Sequence, residues 1–297
     1  MLNKIKNGWY IILYHDINWE DSIFTQYIGG TCAPNIFFEQ IELMQSLGQF
    51  VNIEDGAKLL SRKQIDKPYF SIWFDDGLKG VYNHAYPILN HFNIKPAISV
   101  CSDFLNRKKM FWRYQLSFLI SNNLNSQIIK ILNKFGYKIS SSIKKFTTNN
   151  FSLEMAKEID ELYNSCTTKE FRQDSFRLFM SIEDLSFLQD NEWTITNHSS
   201  SHYKLSDQYN QKLFFDTFYE CEKELSTLNI SKYWVMPFGY PKSIDFFNLR
   251  DLDDLKNITF VFVNNKINTK NNQSNSLNRV DAPTTSALDL KKKLLNL

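Results

Sequence analysis

Two aspartates stand side by side in the stretch SIWFDDGLKG, where Asp75 and Asp76 end an apolar run and precede a glycine. Like charges about 4 Å apart repel by roughly 4 kcal/mol at an effective dielectric near 20. Burial would normally force a proton onto one of them. A turn before glycine needs only one Asp, so the pair makes chemical sense if a cation lies beside it. Partners for such a cation occur in TNHSSSHYKLS, where His198 and His202 are four residues apart. On a helical turn this spacing puts both imidazoles on one face, and neutral imidazole is a common zinc ligand. One carboxylate and two imidazoles leave a coordination position open, which marks a catalytic rather than a structural site. The other carboxylate then stays free as a base toward water. Spacing alone does not say which aspartate takes which role.

These residues need elements that bring them to one place. Apolar runs at 9–15, 70–76, 96–102, 192–198, 233–239 and 258–264 read as strands, and a further strand re-enters at LNRVDAP. Helical spacing occurs at 35–48, 81–92, about 207–229 and about 243–256. Such alternation predicts an α/β fold with a mainly parallel sheet covered by helices. Six or seven repeats suffice for a distorted (β/α)7-type barrel, with its chemistry at the C-terminal strand ends. Asp75 and Asp76 end the second strand, His198 the fourth and His15 the first, so all converge on one mouth. Residues 105–191 carry helical but no strand patterns. We read them as a helical insertion between the third and fourth strands of a single domain spanning 1–297. The polar stretch 264–276 reads as a mobile surface loop. The final SALDLKKKLLNL reads as an amphipathic helix whose lysines form a solvated face rather than a membrane anchor.

Bulk composition narrows the partners. The 34 Lys+Arg against 32 Asp+Glu leave a formal charge of +2, which argues against nucleic acid bound through a basic field. Aromatic residues make up 15%, which suits sugars and other neutral ligands. The four cysteines, Cys32, Cys101, Cys166 and Cys221, show no CxxC spacing and read as small hydrophobes in a reducing compartment. The apolar run near the N-terminus is too short for a signal-peptide core or a membrane span. If Met1 is the natural start, the expected location is the cytoplasm.

The order FDDG, HSSSH, MPFGYP resembles the polysaccharide deacetylases, carbohydrate esterase family 4 with the NodB-homology fold. LYHDI, AYPILNHFNIKPAISV and LNRV also match and point to the branch that modifies exopolysaccharides and surface glycans. The resemblance spans nearly the whole chain. It implies Asp75 as catalytic base and Asp76, His198 and His202 as ligands of a divalent metal, zinc by expectation. It also implies a site wall from Pro-Phe-Gly, with Phe238 and Gly239 beside the substrate and the Phe238 N–H near the developing oxyanion. The implied reaction is metal-dependent removal of an N-acetyl group from an amino sugar or glycan, releasing acetate.

This chain departs from the pattern at two points. Val235 stands where family members often carry Arg, and none of the five histidines lies beyond the metal pair. His15 is the best substitute for the missing acid, with Asp16 placed to orient it. Arg279 is a candidate to orient Asp75 or bind substrate, and Asp281 is a weaker one. Trp112 and Tyr114 are candidates for a sugar-stacking wall, with core packing as the alternative. His84 and His91 belong to the barrel exterior. The rival readings are an amide or O-acetyl ester hydrolase on another substrate, and a glycan-binding protein without catalysis.

Overall fold

The computed structural model describes residues 4–138, 142–205, 211–239, 255–271 and 275–297. Seven parallel strands close into a barrel: β1 (Gly8–Tyr14), β2 (Pro68–Phe74), β3 (Ala97–Val100), β4 (Thr194–Asn197), β5 (Ser231–Val235), β6 (Thr259–Val263) and β7 (Ser276–Asp281). They follow one another round the ring in chain order, and β7 meets β1 with Ile12 opposite Val280. The expected α/β barrel is therefore present.

Strand periodicity explains the ring. Successive side chains of a strand face opposite sides. Trp9 and Ile11 of β1 and Trp73 of β2 fill the interior with Val235, Val261 and Leu277. The alternate residues Tyr10, Ile12, Phe70, Ile72 and Phe74 meet the outer helices, among them Pro34–Leu47 and Ala287–Leu295. Each fully buried side chain of this size contributes about 1.5–3 kcal/mol. The same inward parity of β2, continued past Trp73, arrives at Asp75.

At the opposite end of the barrel the Trp9 indole donates to Ser71 Oγ at 2.8 Å. Asn268, fully buried, seals this end by exchanging backbone hydrogen bonds with Trp9 at 2.9 and 3.0 Å. Its side-chain amide also donates to the Asn278 carbonyl at 2.8 Å. The expectation of a mobile loop over 264–276 is thus corrected around Asn268. Buried backbone groups of β1 require partners, and a polar segment supplies them. Residues 272–274 lie outside the described set.

Between β3 and β4 run helices Ser102–Leu105, Trp112–Ser121, Asn125–Lys134, Ile143–Asn149, Leu153–Ser165, Lys169–Ser175 and Ile182–Asp190. Most of them share a core containing Phe118, Leu132, Met155 and Tyr163, which runs on to Phe104, Phe111 and Phe179 next to the barrel mouth, whereas Ile182–Asp190 buries Leu185 and Leu188 against the barrel's outer layer. The helix read at 207–229 spans Gln211–Glu224. The one read at 243–256 lies almost wholly outside the described residues.

Helix Ile53–Ser61, which no sequence pattern singled out, seats Gly56 on Trp9. A Cβ at Gly56 would stand 2.3 Å from the indole ring. Gly56→Ala should therefore lower the unfolding free energy by about 1–3 kcal/mol. Urea denaturation should show a lower midpoint with an unchanged slope; an unchanged midpoint would mean that the helix does not depend on this contact.

Candidate active site

In an extended strand Asp75 and Asp76 would point to opposite faces. The chain avoids this by leaving β2 through a left-handed turn, with φ of 70° at Asp76 and 73° at Gly77. Both carboxylates consequently face the mouth. His198 follows directly on β4, where the β4–β5 register shifts between Thr196 and Asn197, an irregularity that re-aims the chain. His202, itself at φ 53°, is reached through Ser199, whose hydroxyl accepts the His202 N–H at 3.0 Å. Left-handed backbone at non-glycine residues is uncommon and costs energy. Its concentration here shows how tightly the surroundings fix these side chains.

Asp76, His198 and His202, all buried, offer ligand atoms within 4.8 Å of one another. Asp76 Oδ1 lies 3.5 Å from His198 Nε2 and 3.3 Å from His202 Nε2. The His198 Nδ1 faces the Val235 carbonyl at 2.8 Å. A carbonyl only accepts, so Nδ1 carries the proton and Nε2 turns a lone pair toward Asp76. Burial, opposed by the Asp76 charge, pulls the His202 pKa down to about 3, so this ring is neutral at ordinary pH. Asp76 Oδ1 is buried without a hydrogen-bond partner, while Oδ2 accepts from Tyr114 Oη at 3.2 Å. Facing acceptors around an orphaned carboxylate oxygen are unfavourable unless a cation joins them. The donor set of two imidazoles and one carboxylate fits a divalent ion with an open position.

Asp75 has a different partner. Arg279, completely buried, reaches across from β7 and binds it through two nitrogens, at 2.7 and 2.9 Å. The hydroxyl of Ser99 on β3 donates to Asp75 Oδ1. Burial pushes the Asp75 carboxyl upward, yet the charge and hydrogen bonds of Arg279, joined by the nearby His198 and His15, outweigh it and hold the group well below the usual carboxylate range. The guanidinium also lies 5.4 Å from the ring centre of Trp73, so a column from Trp73 through Arg279 to Asp75 fills the upper barrel. A guanidinium thus stands beside the acidic pair although position 235 is Val.

The mouth opens into a cleft of about 410 Å³ lined by Asp75, Asp76, His198, His202, His15, Phe238 and Gly239, among others. His15 is half-buried at the rim. Its neighbour Asp16 is buried, and desolvation raises its pKa to about 6, partly offset by the Ile17 N–H. Phe238 lies beside His202, with ring centres 5.0 Å apart. Asp281 also lines the cleft. Two expectations need correction. Arg279 does not line the cleft as a substrate contact, because its position on β7 turns it inward onto Asp75. Trp112 is buried away from the cleft, packing on Phe151 at 6.0 Å; its helix turns it aside while presenting Phe111 and Tyr114. Tyr114 faces the cleft as a hydrogen-bond donor to Asp76. His84 lies on the barrel exterior and His91 is exposed against Phe38. Ser99 and Arg113 were not anticipated. Ser99 was detectable as an inward-parity polar residue in PAISVCS, but Arg113 carried no signal in the sequence.

No family model and no curated protein matches the chain. Solved structures do. Streptococcus pyogenes deacetylase PplD, in complex with acetate, matches with a TM-score of 0.61 at 17% identity, over 97% of this chain and 98% of that one. IcaB from Ammonifex degensii matches at 0.59 and 15%, over 98% of each chain. A de-N-acetylase from Aggregatibacter actinomycetemcomitans gives 0.59 and 14%, over 96% and 99%. Fold and mouth together define a parallel α/β barrel with a candidate metal centre at its C-terminal end. The chain shares the fold of these solved deacetylase structures.

The Asp75–Arg279 pair yields a pH prediction for the metal-free protein. In the wild type the depressed Asp75 pKa contributes stability that is present above the unfolded value near 3.9. That stability is lost only as pH falls through the folded value. Arg279→Gln leaves a buried carboxylate uncompensated, at a cost of about 3–5 kcal/mol at pH 7.5. With the guanidinium gone, burial raises the Asp75 pKa, so the deficit should shrink on acidification as the carboxyl takes a proton. Urea unfolding at several pH values reads this directly. A deficit independent of pH would mean that the pair is not the source.

Proposed function

We propose that this protein is a metal-dependent hydrolase that removes an N-acetyl group from an amino sugar during surface-glycan or exopolysaccharide assembly. The observation that carries the reading is the buried Asp76–His198–His202 set, with its orphaned carboxylate oxygen, beside an ionised Asp75. A divalent cation, zinc in our proposal, would be held by those three side chains and supply Lewis acidity toward the acetamide carbonyl and toward water.

The remaining chemistry belongs to the chain itself. Asp75, kept anionic by Arg279, takes a proton from the water that attacks the carbonyl carbon. Arg279 and Ser99 fix the carboxylate so that little reorientation is needed. The Phe238 N–H makes no backbone hydrogen bond among the described residues, and Phe238 lines the cleft, which supports it as the donor to the developing oxyanion. Losing such a donor typically costs about 3–4 kcal/mol. The C–N bond then breaks, with a proton delivered to the departing amine by His15 from the rim. Acetate and a free amino sugar result.

Asp75→Asn preserves shape but removes the base. Acetate release from N-acetylated oligosaccharides and nucleotide sugars should fall by about 10²–10⁴-fold, with metal content by elemental analysis unchanged at about one ion per chain. Full activity in this variant would remove Asp75 from its role. Chelation should abolish release and zinc should restore it; activity that survives chelation would sink metal dependence.

A further inference from the structure

The insertion helix Trp112–Ser121 begins at the cleft, where Phe111, Arg113 and Tyr114 line the same wall. Tyr114 is engaged by Asp76, but Arg113 has no comparable partner. It is 9% exposed, and its Nε donates to Thr147 Oγ1 at 2.9 Å. Its guanidinium carbon stands 5.2 Å from the ring centre of Phe238 and 5.9 Å from that of Phe111. It forms no ion pair, and no other side-chain hydrogen bond, among the described residues. Burying a guanidinium without a bonded counter-charge costs several kcal/mol. The Asp76 charge acts on Arg113, but no acid of the cleft bonds it among the described residues. Asp75 is taken by Arg279, and Asp76 belongs to Tyr114 and the histidines; Asp16 and Asp281 line the cleft without bonding Arg113.

Two further features favour an anion at this spot. The helix has no side-chain cap and no acid in its first turn, so its N-terminal N–H groups and dipole add positive potential. A second cation, Lys144, lines the cleft from helix Ile143–Asn149, which also carries the Thr147 that holds Arg113. We propose that Arg113 is an oxyanion-binding residue, so that the substrate carries a phosphate or carboxylate besides its acetamido group. The anion docks on the guanidinium at the start of helix Trp112–Ser121. Phe238 packs against both Arg113 and His202, so an anion on Arg113 would sit beside the acetamido group rather than on it. This specificity assignment rests on the deacetylase reading for the identity of the second group.

Calorimetric titration of the metal-loaded protein tests it, with inorganic phosphate, N-acetylglucosamine 1-phosphate, N-acetylmuramic acid and neutral N-acetylglucosamine at fixed ionic strength. The charged sugars should bind roughly tenfold or more tightly than the neutral one, as a charge-assisted bond requires. The sugar phosphate compared with the sugar carboxylate identifies the preferred anion. Arg113→Gln should abolish the preference, and the binding of phosphate that depends on it, with metal content unchanged; Arg113→Lys should keep part of it. Equal affinity of the wild type for charged and neutral sugars overturns the proposal, and this arm does not depend on a variant folding. A preference that survives Arg113→Gln also overturns it, since the anion would then rest on Lys144 or the metal. Acetate release without any anion preference sinks the Arg113 assignment alone. An anion preference lost in Arg113→Gln, without acetate release from any sugar, supports Arg113 and sinks the deacetylase reading.

Discussion

Inside the barrel, Asp75 and Arg279 are two charges that neither could sustain alone. Each is taken out of water by the closed ring of strands, and each would be strongly unfavourable without the other. Their two-point contact, joining β2 to β7 across the interior, keeps the carboxylate ionised and aimed at the mouth. The pairing also explains why Ser99 and Trp73 face it from the barrel interior: one donates a hydrogen bond to Asp75 and the other packs its ring beside the Arg279 guanidinium. A carboxylate so firmly held is a weak base in isolation. It becomes effective only where the proton it accepts has already been made more acidic.

The neighbouring Asp76 set, two buried imidazoles around an orphaned carboxylate oxygen, fits a cation that would supply that condition. The same left-handed turn that separates the roles of two adjacent aspartates leaves one with a guanidinium and the other with two imidazoles. Val235 contributes its carbonyl rather than its side chain, fixing the His198 tautomer. One backbone turn therefore divides a repulsive pair into an anion with an organic counter-ion and an anion with a place for an inorganic one. Strain at Asp76, Ser199, His202 and Phe238 is offset by the packed core beneath and beside them.

The helices between β3 and β4 complete the site from the outside. They bring Tyr114 to Asp76, stack Phe111 near His202 with ring centres 4.6 Å apart, and place Arg113 along the cleft. The barrel end thus supplies the candidate metal ligands and Asp75, and the inserted helices supply a wall with its own charge. None of the helices among the described residues is long and apolar enough to cross a membrane.

Strand parity, helix spacing and the apolar runs were legible along the chain because they arise from local periodicity, as with the inward series Ser71, Trp73, Asp75. The four chemistry-bearing residues at 75, 76, 198 and 202 were legible because their types are costly to bury and rarely placed without a partner. The division of labour between the two aspartates was not legible in their spacing and came only with the family resemblance, since physically it turns on the backbone sign at Asp76 and on an arginine some two hundred positions away. Trp112 and Arg113 show the same limit: one helical turn decides which enters the core and which meets the cleft, and only the packing of the whole insertion sets that rotation. Asn268 lay in a segment that composition alone marks as loop, yet the end of β1 requires its hydrogen bonds. Sequence specifies periodic preferences and chemical types, whereas long-range pairing of buried polar groups exists only once the ring has closed.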